Sequence, residues 1–365
     1  MNLKHIISQT LLLAVTVALS ACDDWTEIRP LDTGSQRPDA ATEAMYEAAV
    51  REFRASDHQL VLGRFDNSVK VPSLRPQHID VLPDSIDMVI LARPDSLCER
   101  ELAEMQEMRE AYATKYLCEV TYSYVEALWN EANAGEESDE ETPGENTDGE
   151  TPAVGEENGN GEEGSTAEEP QTDGFPAFCA EYVDYALGLC DKWGYDGVVV
   201  WFDAPSLDFV GEAERARLEA RREAFLGPVA RWREGHAAKL LLLGGSLDLL
   251  DDRTLTDGCD YLLADGRSAS AMGSAAEAFF RLENAGFASD RILLAVSAPD
   301  ALGAGGEFGS QSALTATAEW LLEPSRTGRK GGMLIDNIQN DYFDTGLIFR
   351  NTRKAIDILN PSPNN

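Results

Sequence analysis

The stretch GYDGVVVWFDAPS, residues 194–206, indicates how the whole chain folds. An amphipathic helical pattern runs up to Trp193, and Gly194 is typical of the residue just after a helix end. A continuous apolar run follows, and Asp203 stands where that run stops. Such runs are typical of parallel strands that are buried on both faces. The stretch therefore predicts a helix, a buried parallel strand and one carboxylate at the carboxyl end of that strand.

The same alternation of apolar run and helical pattern recurs along the chain. Helical patterns cover residues 97–112, 178–193, 212–235, 271–285, 311–322 and 346–359. Eight strands are expected, at residues 60–67, 85–95, 115–124, 196–203, 239–246, 259–266, 291–300 and 331–341. This alternation predicts an α/β fold, a single-domain (β/α)8 TIM barrel. The alternative is a doubly wound open sheet, but no Gly-rich phosphate loop follows the first strand.

The chain divides into segments of different composition. We expect a signal peptide at residues 1–21, a lipidated N-terminal tether at 22–54, and the barrel at 55–130 and 175–362. Between the two barrel parts, residues 131–174 carry 16 acidic residues, no Lys or Arg and almost no apolar side chain. Such a composition cannot bury enough apolar surface to offset the entropy of ordering. The sequence therefore predicts a disordered acidic insertion after the third strand.

The first residues, MNLKHIISQTLLLAVTVALSAC, have the features of a secretory signal. A basic start at Lys4 precedes an apolar stretch that is too short for a comfortable membrane span. The ending LSAC resembles a bacterial lipobox, which implies lipidation of Cys22; the alternative is an ordinary signal peptide with an incidental Cys. Asp23 and Asp24 resemble the export signal of surface-exposed lipoproteins in glycan-foraging Gram-negative bacteria. We therefore expect a lipid-anchored protein of the outer membrane, at the cell surface.

The charge and the histidine count argue against two classes of protein. The formal net charge is −35, whereas a nucleic-acid binder normally shows a basic patch, so nucleic acid is not an expected partner. Only four His are present and none lies near a Cys in the sequence. We therefore expect no metal site and no cofactor.

Polar and aromatic side chains gather at the predicted carboxyl ends of the strands, where barrel chemistry takes place. For each one the alternative is a turn-forming or helix-capping role. In the third strand Tyr122 and Tyr124 share one side and Glu119 and Thr121 the other, and either pair could point into the barrel. Aromatic faces pack against sugar C–H groups, and carboxylates and amides bind sugar hydroxyls. The candidate ligand-binding residues are Phe65, Tyr122, Tyr124, Trp201, Asp203, Asp265, Asp336 and Asn337.

The fourth strand resembles the signature strand of glycoside hydrolase family 18, D-G-x-D-x-D-x-E. Asp196 and Gly197 match the opening pair. Val199 and Trp201 stand where the second and third Asp belong, and Asp203 stands where the catalytic Glu belongs. The resemblance covers residues 58–360 in strand order and length, and it is strongest to the lipoprotein branch of the family. That family includes chitinases and endo-β-N-acetylglucosaminidases on (β/α)8 barrels.

The departures from the motif imply an impaired enzyme. In the family the Glu is the general acid, and the Asp two residues before it orients the substrate's acetamido nucleophile. Val199 and Trp201 cannot take such a role. Asp203 reaches about 1–1.5 Å less far than Glu, and a misplacement of roughly 1 Å can cost on the order of 100-fold in rate. Trp201 is either barrel-core filling or a sugar-stacking surface, and Asp203 is a ligand acceptor, a working general acid or a structural residue.

The resemblance implies a glycan as the main partner. We expect binding of N-acetylglucosamine-containing glycans or glycoproteins, for uptake and degradation with an outer-membrane importer and glycosidases. The rival hypothesis is an active endo-β-N-acetylglucosaminidase or chitinase-like hydrolase that uses Asp203 as its catalytic general acid. A third hypothesis is a scaffold lipoprotein without a sugar site.

Overall fold

Eight parallel strands close into a barrel in the computed structural model, which describes residues 39–134, 173–343 and 347–361. The last barrel strand pairs in parallel with the first, which confirms the (β/α)8 barrel and excludes the open sheet. The strands of the ring are β1 (Leu60–Phe65), β2 (Met88–Leu91), β3 (Lys115–Thr121), β4 (Gly197–Phe202), β5 (Leu240–Gly245), β6 (Tyr261–Asp265), β7 (Ile292–Ser297) and β10 (Gly332–Asp336). A short hairpin, β8 (Glu307–Phe308) with β9 (Gln311–Ser312), follows β7.

Helices alternate with the strands of the ring. They are α1 (Ala40–Ala55), α2 (Glu99–Tyr112), α3 (Tyr122–Asn133), α4 (Phe175–Lys192), α5 (Glu212–Gly235), α6 (Thr254–Gly258), α7 (Met272–Asn284), α8 (Ala313–Leu321) and α9 (Arg350–Leu359). Helix α6 has only five residues and was not expected from the apolar periodicity, since one short turn is too brief to show a helical repeat.

The apolar core has two layers because side chains alternate along each strand. One set points outward and packs against the helices, in a large cluster that includes Phe65, Tyr122 and Phe225. The other set fills the barrel interior and consists of Leu62, Met88, Ile90, Leu117, Val199, Trp201, Leu242, Leu263, Leu293, Ala295 and Leu334. Charged residues follow the inner set at the carboxyl ends of the strands, among them Arg64 and Glu119, and the candidate site lies at these ends.

Two glycines permit the close approach of β4 and β5. A Cβ on Gly197 would lie 2.3 Å from the carbonyl oxygen of Leu240, so this position excludes any other residue without a backbone shift. A Cβ on Gly244 would lie 2.4 Å from the indole ring of Trp201. The missing side chain at Gly244 therefore makes room for Trp201 to lie across the barrel.

The third strand is shorter than the sequence predicts. It ends at Thr121, and α3 begins at Tyr122, so the expected strand through Tyr124 is wrong in its last three residues. Tyr122 is buried in the outer cluster, among Phe175, Phe202 and Phe225. A strand and a helix would both bury an apolar residue at position 122, so the aromatic residues alone do not distinguish a strand from a helix there.

Several predicted segments lie outside the described residues. These are the signal peptide, Cys22, the acidic pair Asp23 and Asp24, and residues 135–172 of the acidic insertion. The chain divides into two compact units between Ala49 and Val50. In the first unit Asp39 precedes the start of α1, and its Oδ1 accepts the backbone N–H of Thr42 at 2.8 Å. Among the helices that the structure describes, none combines the length and apolar character that a bilayer span requires.

Candidate functional site

A cavity of about 490 Å³ opens at the carboxyl ends of the first strands of the ring. This is the face of a (β/α)8 barrel on which functional side chains lie. The lining is strongly polar and carries charges of both signs. Its charged side chains are Arg64, Asp66, Arg93, Asp95, Glu119, Asp203 and Arg267.

Trp201 lies inside the barrel rather than on the cavity wall. It is 1% exposed, and its indole N–H has no hydrogen-bond partner. The open space at Gly244 accommodates the ring, and the Arg267 guanidinium carbon lies 3.9 Å from the ring centroid. Such a cation–π contact occupies the aromatic face. In this arrangement Trp201 fills the barrel core, and a sugar could stack on it only after displacing Arg267.

Asp203 lies on the cavity wall and is exposed. Its Oδ1 accepts the backbone N–H of Ser123 at 2.9 Å, and its Oδ2 accepts the Ser123 hydroxyl at 2.6 Å. Ser123 is in the first turn of α3, where backbone N–H groups have no partner within the helix. The N-cap residue of that helix, Thr121, makes no side-chain capping bond. Asp203 therefore caps α3 from the neighbouring strand.

An ion-pair network joins three strands beneath the cavity. The Arg64 Nε donates to Glu119 Oε2 at 2.8 Å, and its Nη1 donates to Asp336 Oδ1 at 3.2 Å. Burial alone would lower the pKa of Arg64, but the two carboxylates outweigh it and raise that pKa. The guanidinium is thereby held as a cation at the floor of the cavity.

A second ion pair supports the contact with Trp201. Arg267 donates from Nε and Nη2 to the two oxygens of Asp265, both at 2.8 Å. Burial would raise the pKa of the Asp265 carboxyl, but the hydrogen bonds and charge of Arg267 reverse this and lower it. This two-pronged geometry fixes the plane of the guanidinium. Asp265 therefore acts on the cavity through Arg267.

Two tyrosines form an aromatic wall of the cavity. The ring centroids of Tyr124 and Tyr182 lie 6.2 Å apart, inclined at 61°. Tyr124 is 43% exposed, so its ring is accessible to a ligand. Burial raises the pKa of Tyr182 to about 12, with smaller contributions from Tyr124 and Asp95. Tyr182 is thus a neutral hydroxyl at any ordinary pH.

Two of the predicted ligand-binding residues are placed away from the cavity. Phe65 is fully buried in the outer cluster, because its position on β1 points toward the helices. Tyr122 packs edge-on against Phe175, Phe202 and Phe225 behind the strands. Neither ring can contact a ligand in the cavity, so both assignments are corrected.

The remaining predicted residues divide into two groups. Asp203, Tyr124 and Asn337 line the cavity together. Asn337 follows β10 in the left-handed backbone region, with φ of 55°, which asparagine tolerates better than most residues. Asp265 and Asp336 lie one contact behind the cavity and hold Arg267 and Arg64.

Two arginines of the cavity, Arg64 and Arg267, were not identified from the sequence. Arg64 lies two residues after the inward-facing Leu62, and Glu119 lies two residues after the inward-facing Leu117. Alternation along a strand carries both into the barrel. A charged residue at an inward position near a strand end was the available signal, and it also settles that Glu119 and Thr121, rather than Tyr122, face the barrel interior.

The matching part of the motif lies at the opposite end of β4. Asp196 Oδ2 accepts the backbone N–H of Tyr116 at 2.8 Å and an Arg109 N–H at 3.1 Å. Gly197 allows β4 to approach Leu240 of β5. The Asp-Gly pair therefore aligns β4 with its neighbours and takes no part in the cavity.

One group of side chains has the composition of a metal site. His78, Asp80 and Glu104 place ligand atoms within 4.8 Å of one another, among the residues that the structure describes. Glu104 already accepts bonds from Arg100, His78 and the N–H of Ile79, and Asp80 pairs with Arg75. These contacts offset the negative charges of both carboxylates and attach the segment before β2 to α2. None of the three residues lines the cavity.

Comparisons with known proteins place the chain among glycoside hydrolases. The family described as Glycoside hydrolase family 18, BT1044-like matches residues 26–358. No curated protein sequence matches significantly. A solved structure of a glutamate-to-glutamine variant of BT1044 is 17% identical with a TM-score of 0.55, and the alignment covers 88% of this chain and 93% of that one.

Two solved structures of an endo-β-N-acetylglucosaminidase from Cordyceps militaris are also similar. The apo form is 16% identical with a TM-score of 0.56, covering 87% of this chain and 96% of that one. A double variant in complex with fucosyl-N-acetylglucosamine-Asn is 15% identical with a TM-score of 0.55, covering 86% and 95%. At these identities the likeness shows a shared barrel. The family match over residues 26–358 shows more: this chain belongs to glycoside hydrolase family 18, in its BT1044-like group.

Proposed function

We propose that the protein binds an N-acetylglucosamine-containing glycan in the cavity and does not cleave it efficiently. The observation that carries the proposal is the state of β4 at its carboxyl end. The strand presents a valine, a tryptophan under an arginine, and an aspartate that caps a helix. The structurally similar Cordyceps enzyme in complex with fucosyl-N-acetylglucosamine-Asn supports this glycan class.

The arrangement of β4 disfavours hydrolysis for geometric reasons. Val199 and Trp201 are buried in the inner cluster and offer no carboxylate to orient an acetamido group. Trp201 with Arg267 fills the centre of the barrel, where the inward-facing residues of β4 point. Asp203 would have to release Ser123 before it could protonate a leaving oxygen. A general acid must lie within hydrogen-bond reach of that oxygen, and a short, tethered side chain satisfies this poorly.

The same cavity offers suitable groups for binding a sugar. Tyr124 presents an accessible ring for the C–H face of a pyranose. Asp66, Asp95 and Asn337 provide oxygen and amide groups for sugar hydroxyls. Arg93 is exposed at the rim, with no ion pair to any described residue, and can donate hydrogen bonds to a ligand. Ligand sites of this kind combine an apolar surface with a few placed polar groups.

The decisive experiment measures binding and turnover with the same preparation. The detergent-solubilised full chain is titrated calorimetrically with a high-mannose glycopeptide, and released glycan is followed by mass spectrometry. We expect binding that Tyr124→Ala weakens, with no sustained release of glycan. As a matched control, Tyr122→Phe keeps the buried ring and should bind like the wild type. Absence of binding together with absence of turnover would favour a scaffold protein without a sugar site.

An active hydrolase is the second candidate, because Asp203 does reach the cavity wall. In that case sustained glycan release would be observed, and Asp203→Asn would abolish it while preserving binding. Release that persists in Asp203→Asn would point to a different residue as the acid. The amide of Asn retains the shape of the side chain, but it has no acidic proton and no negative charge, and only its oxygen can still accept a hydrogen bond from Ser123.

We further propose that the protein is a lipid-anchored, surface-exposed lipoprotein that serves an outer-membrane glycan importer and its glycosidases. Cys22 in LSAC and the following Asp23 and Asp24 support this. Each CH₂ group of an acyl chain that is buried in the bilayer contributes about 0.8 kcal/mol to membrane binding, and several chains hold such proteins on membranes. Labelling with radioactive palmitate should mark the wild type and not Cys22→Ser. Proteolysis of intact cells should cleave the wild type, and replacing both aspartates with alanine should protect it.

A further inference from the structure

Three tyrosines form a continuous line from the cavity to the outer surface of the barrel. We call Tyr124, Tyr182 and Tyr185 the tyrosine strip; the first is on α3 and the other two are on α4. Ring centroids of Tyr124 and Tyr182 lie 6.2 Å apart, and those of Tyr182 and Tyr185 also lie 6.2 Å apart. The strip therefore places three rings at regular spacing, each inclined to the next by about 60°.

The strip begins inside the cavity and ends outside it. Tyr124 and Tyr182 line the cavity, whereas Tyr185 does not. Tyr185 is 51% exposed and is the one large apolar side chain that α4, which is described throughout, leaves open to solvent. A ligand that leaves the cavity past Tyr182 would meet Tyr185 next.

The surroundings of Tyr185 suit a carbohydrate better than an apolar protein partner. Glu181 and Asp184 are exposed on the same helix and offer carboxylate oxygens to sugar hydroxyls. Protein interfaces, in contrast, are depleted of such acids at their cores. One turn along the helix lies Gly188, where an added Cβ would meet nothing within 4 Å, so the surface beside Tyr185 is open. Tyrosine itself combines an apolar ring with a hydroxyl, which matches the two kinds of surface on a pyranose.

We infer that the tyrosine strip is a sugar-binding surface that extends the cavity, so that the ligand is an oligosaccharide long enough to run out along α4. This inference rests on the proposed glycan-binding function. It assigns Tyr124 and Tyr182 to the part of the glycan inside the cavity and Tyr185 to a part outside it. Affinity should accordingly grow with the length of the glycan.

The test compares long and short glycans on the full chain. Calorimetry is performed with a high-mannose N-glycan, with its trimmed N-acetylglucosamine core, and with N-acetylglucosamine oligomers of increasing length. For the wild type we expect the longer member of a series to bind more tightly. Tyr185→Ala should weaken the long ligand by about 3- to 10-fold, the range for one aromatic contact, and leave the shortest ligand unchanged.

A second variant obstructs the strip without removing a ring. Gln at position 188, in the variant Gly188→Gln, favours the helix and projects back over the preceding turn, where Tyr185 lies. It should therefore weaken the long ligand while the melting temperature is maintained or raised. Phe280→Ala removes an exposed aromatic ring from α7, which does not line the cavity, and should leave every affinity unchanged.

The outcomes separate this inference from the function on which it rests. If no ligand in either series binds the wild type, the glycan-binding function fails and the strip fails with it. If short and long ligands bind equally, and neither Tyr185→Ala nor Gly188→Gln alters the long one, the function stands and the strip is disproved.

Discussion

At the scale of single residues, the Asp203 carboxylate connects two elements, the end of β4 and the start of α3. Asp203 directly follows β4, yet both of its oxygens accept hydrogen bonds from Ser123 in the first turn of α3. Side chains that cap helices from elsewhere in the fold satisfy the same orphan donors as a local N-cap does. The residue in the position of the family's acid thus also stabilises the backbone beside the cavity.

Asp203→Ala should therefore lower stability as well as change binding. Loss of a helix cap lowers the free energy of unfolding by about 0.5–2 kcal/mol. Ser123→Ala removes only the hydroxyl contact and should cost less. Urea denaturation of both single variants and the double variant gives the coupling energy between them. Strict additivity would show that the two side chains do not support each other in solution.

Trp201 and Gly244 form a second pair, in which the indole ring occupies the space that a side chain at position 244 would need. Gly244→Ala would place a methyl group 2.4 Å from the indole ring, so the ring must move within a packed barrel. Overpacking of this kind costs about 1–3 kcal/mol. Combining it with Trp201→Leu should recover part of that loss, because the smaller side chain vacates the space. The melting temperatures of the single and double variants measure both effects. A Gly244→Ala variant as stable as the wild type would contradict the close contact between position 244 and the indole ring.

At the scale of elements, Asp87 joins the start of β1 to the start of β2. Its Oδ2 accepts the backbone N–H of Val61 at 2.8 Å, and its Oδ1 lies 2.9 Å from Nε2 of His58. The hydrogen bond to Asp87 raises the pKa of His58, against burial and the nearby charge of Arg329, which lower it. The protonated imidazole is therefore favoured in the folded state.

This pair should make stability depend on pH in a defined direction. A His whose folded pKa lies above its unfolded value, about 6.5, stabilises fully below that value. The stabilisation is lost as pH rises through the folded pKa. The difference in unfolding free energy between the wild type and His58→Gln should thus be larger near about pH 5.5 than near about pH 8.5. If the wild type and His58→Gln differ by the same unfolding free energy at both pH values, Asp87 does not favour the protonated form of His58 in the folded state.

At the scale of the whole molecule, ligand binding must appear as added stability if the proposed function is right. A ligand that binds only the folded state stabilises it by about 2.7 kcal/mol at a concentration 100 times Kd. A high-mannose glycopeptide should therefore raise the melting temperature in proportion to the logarithm of its concentration. Tyr124→Ala should shift the curve to higher concentration, whereas Phe280→Ala should not. A melting temperature that is independent of every glycan tested would contradict binding.

The apolar pattern of the strands explains which residues of the site could be predicted from the sequence. Asp203 and Asn337 follow buried runs directly, so their place at the strand ends was readable from the apolar pattern. Phe65 and Tyr122 were misassigned because an aromatic residue near a strand end is apolar enough to pack on either side of the strand. Arg64 lies on β1 and Arg267 in the turn after β6. Both were overlooked because their partners on other strands, Glu119 for Arg64 and Trp201 for Arg267, are not visible in the sequence.

The sequence by itself determined the alternation of buried parallel strands and helices, because burial on both faces imposes continuous apolar runs that are visible without any knowledge of partners. Closure of the sheet into a barrel depends on the pairing of the first strand with the last, which only the tertiary structure shows. It also determined that β4 lacks the acids of its family, since that depends only on residue identity. The tertiary structure alone decided that Arg267 covers Trp201, that Ser123 engages Asp203, and that Tyr182 and Tyr185 continue the wall begun by Tyr124. The contacts of Arg267 with Trp201, of Ser123 with Asp203 and of Tyr124 with Tyr182 join residues on separate parts of the chain, and their directions follow from how the elements pack around the ring.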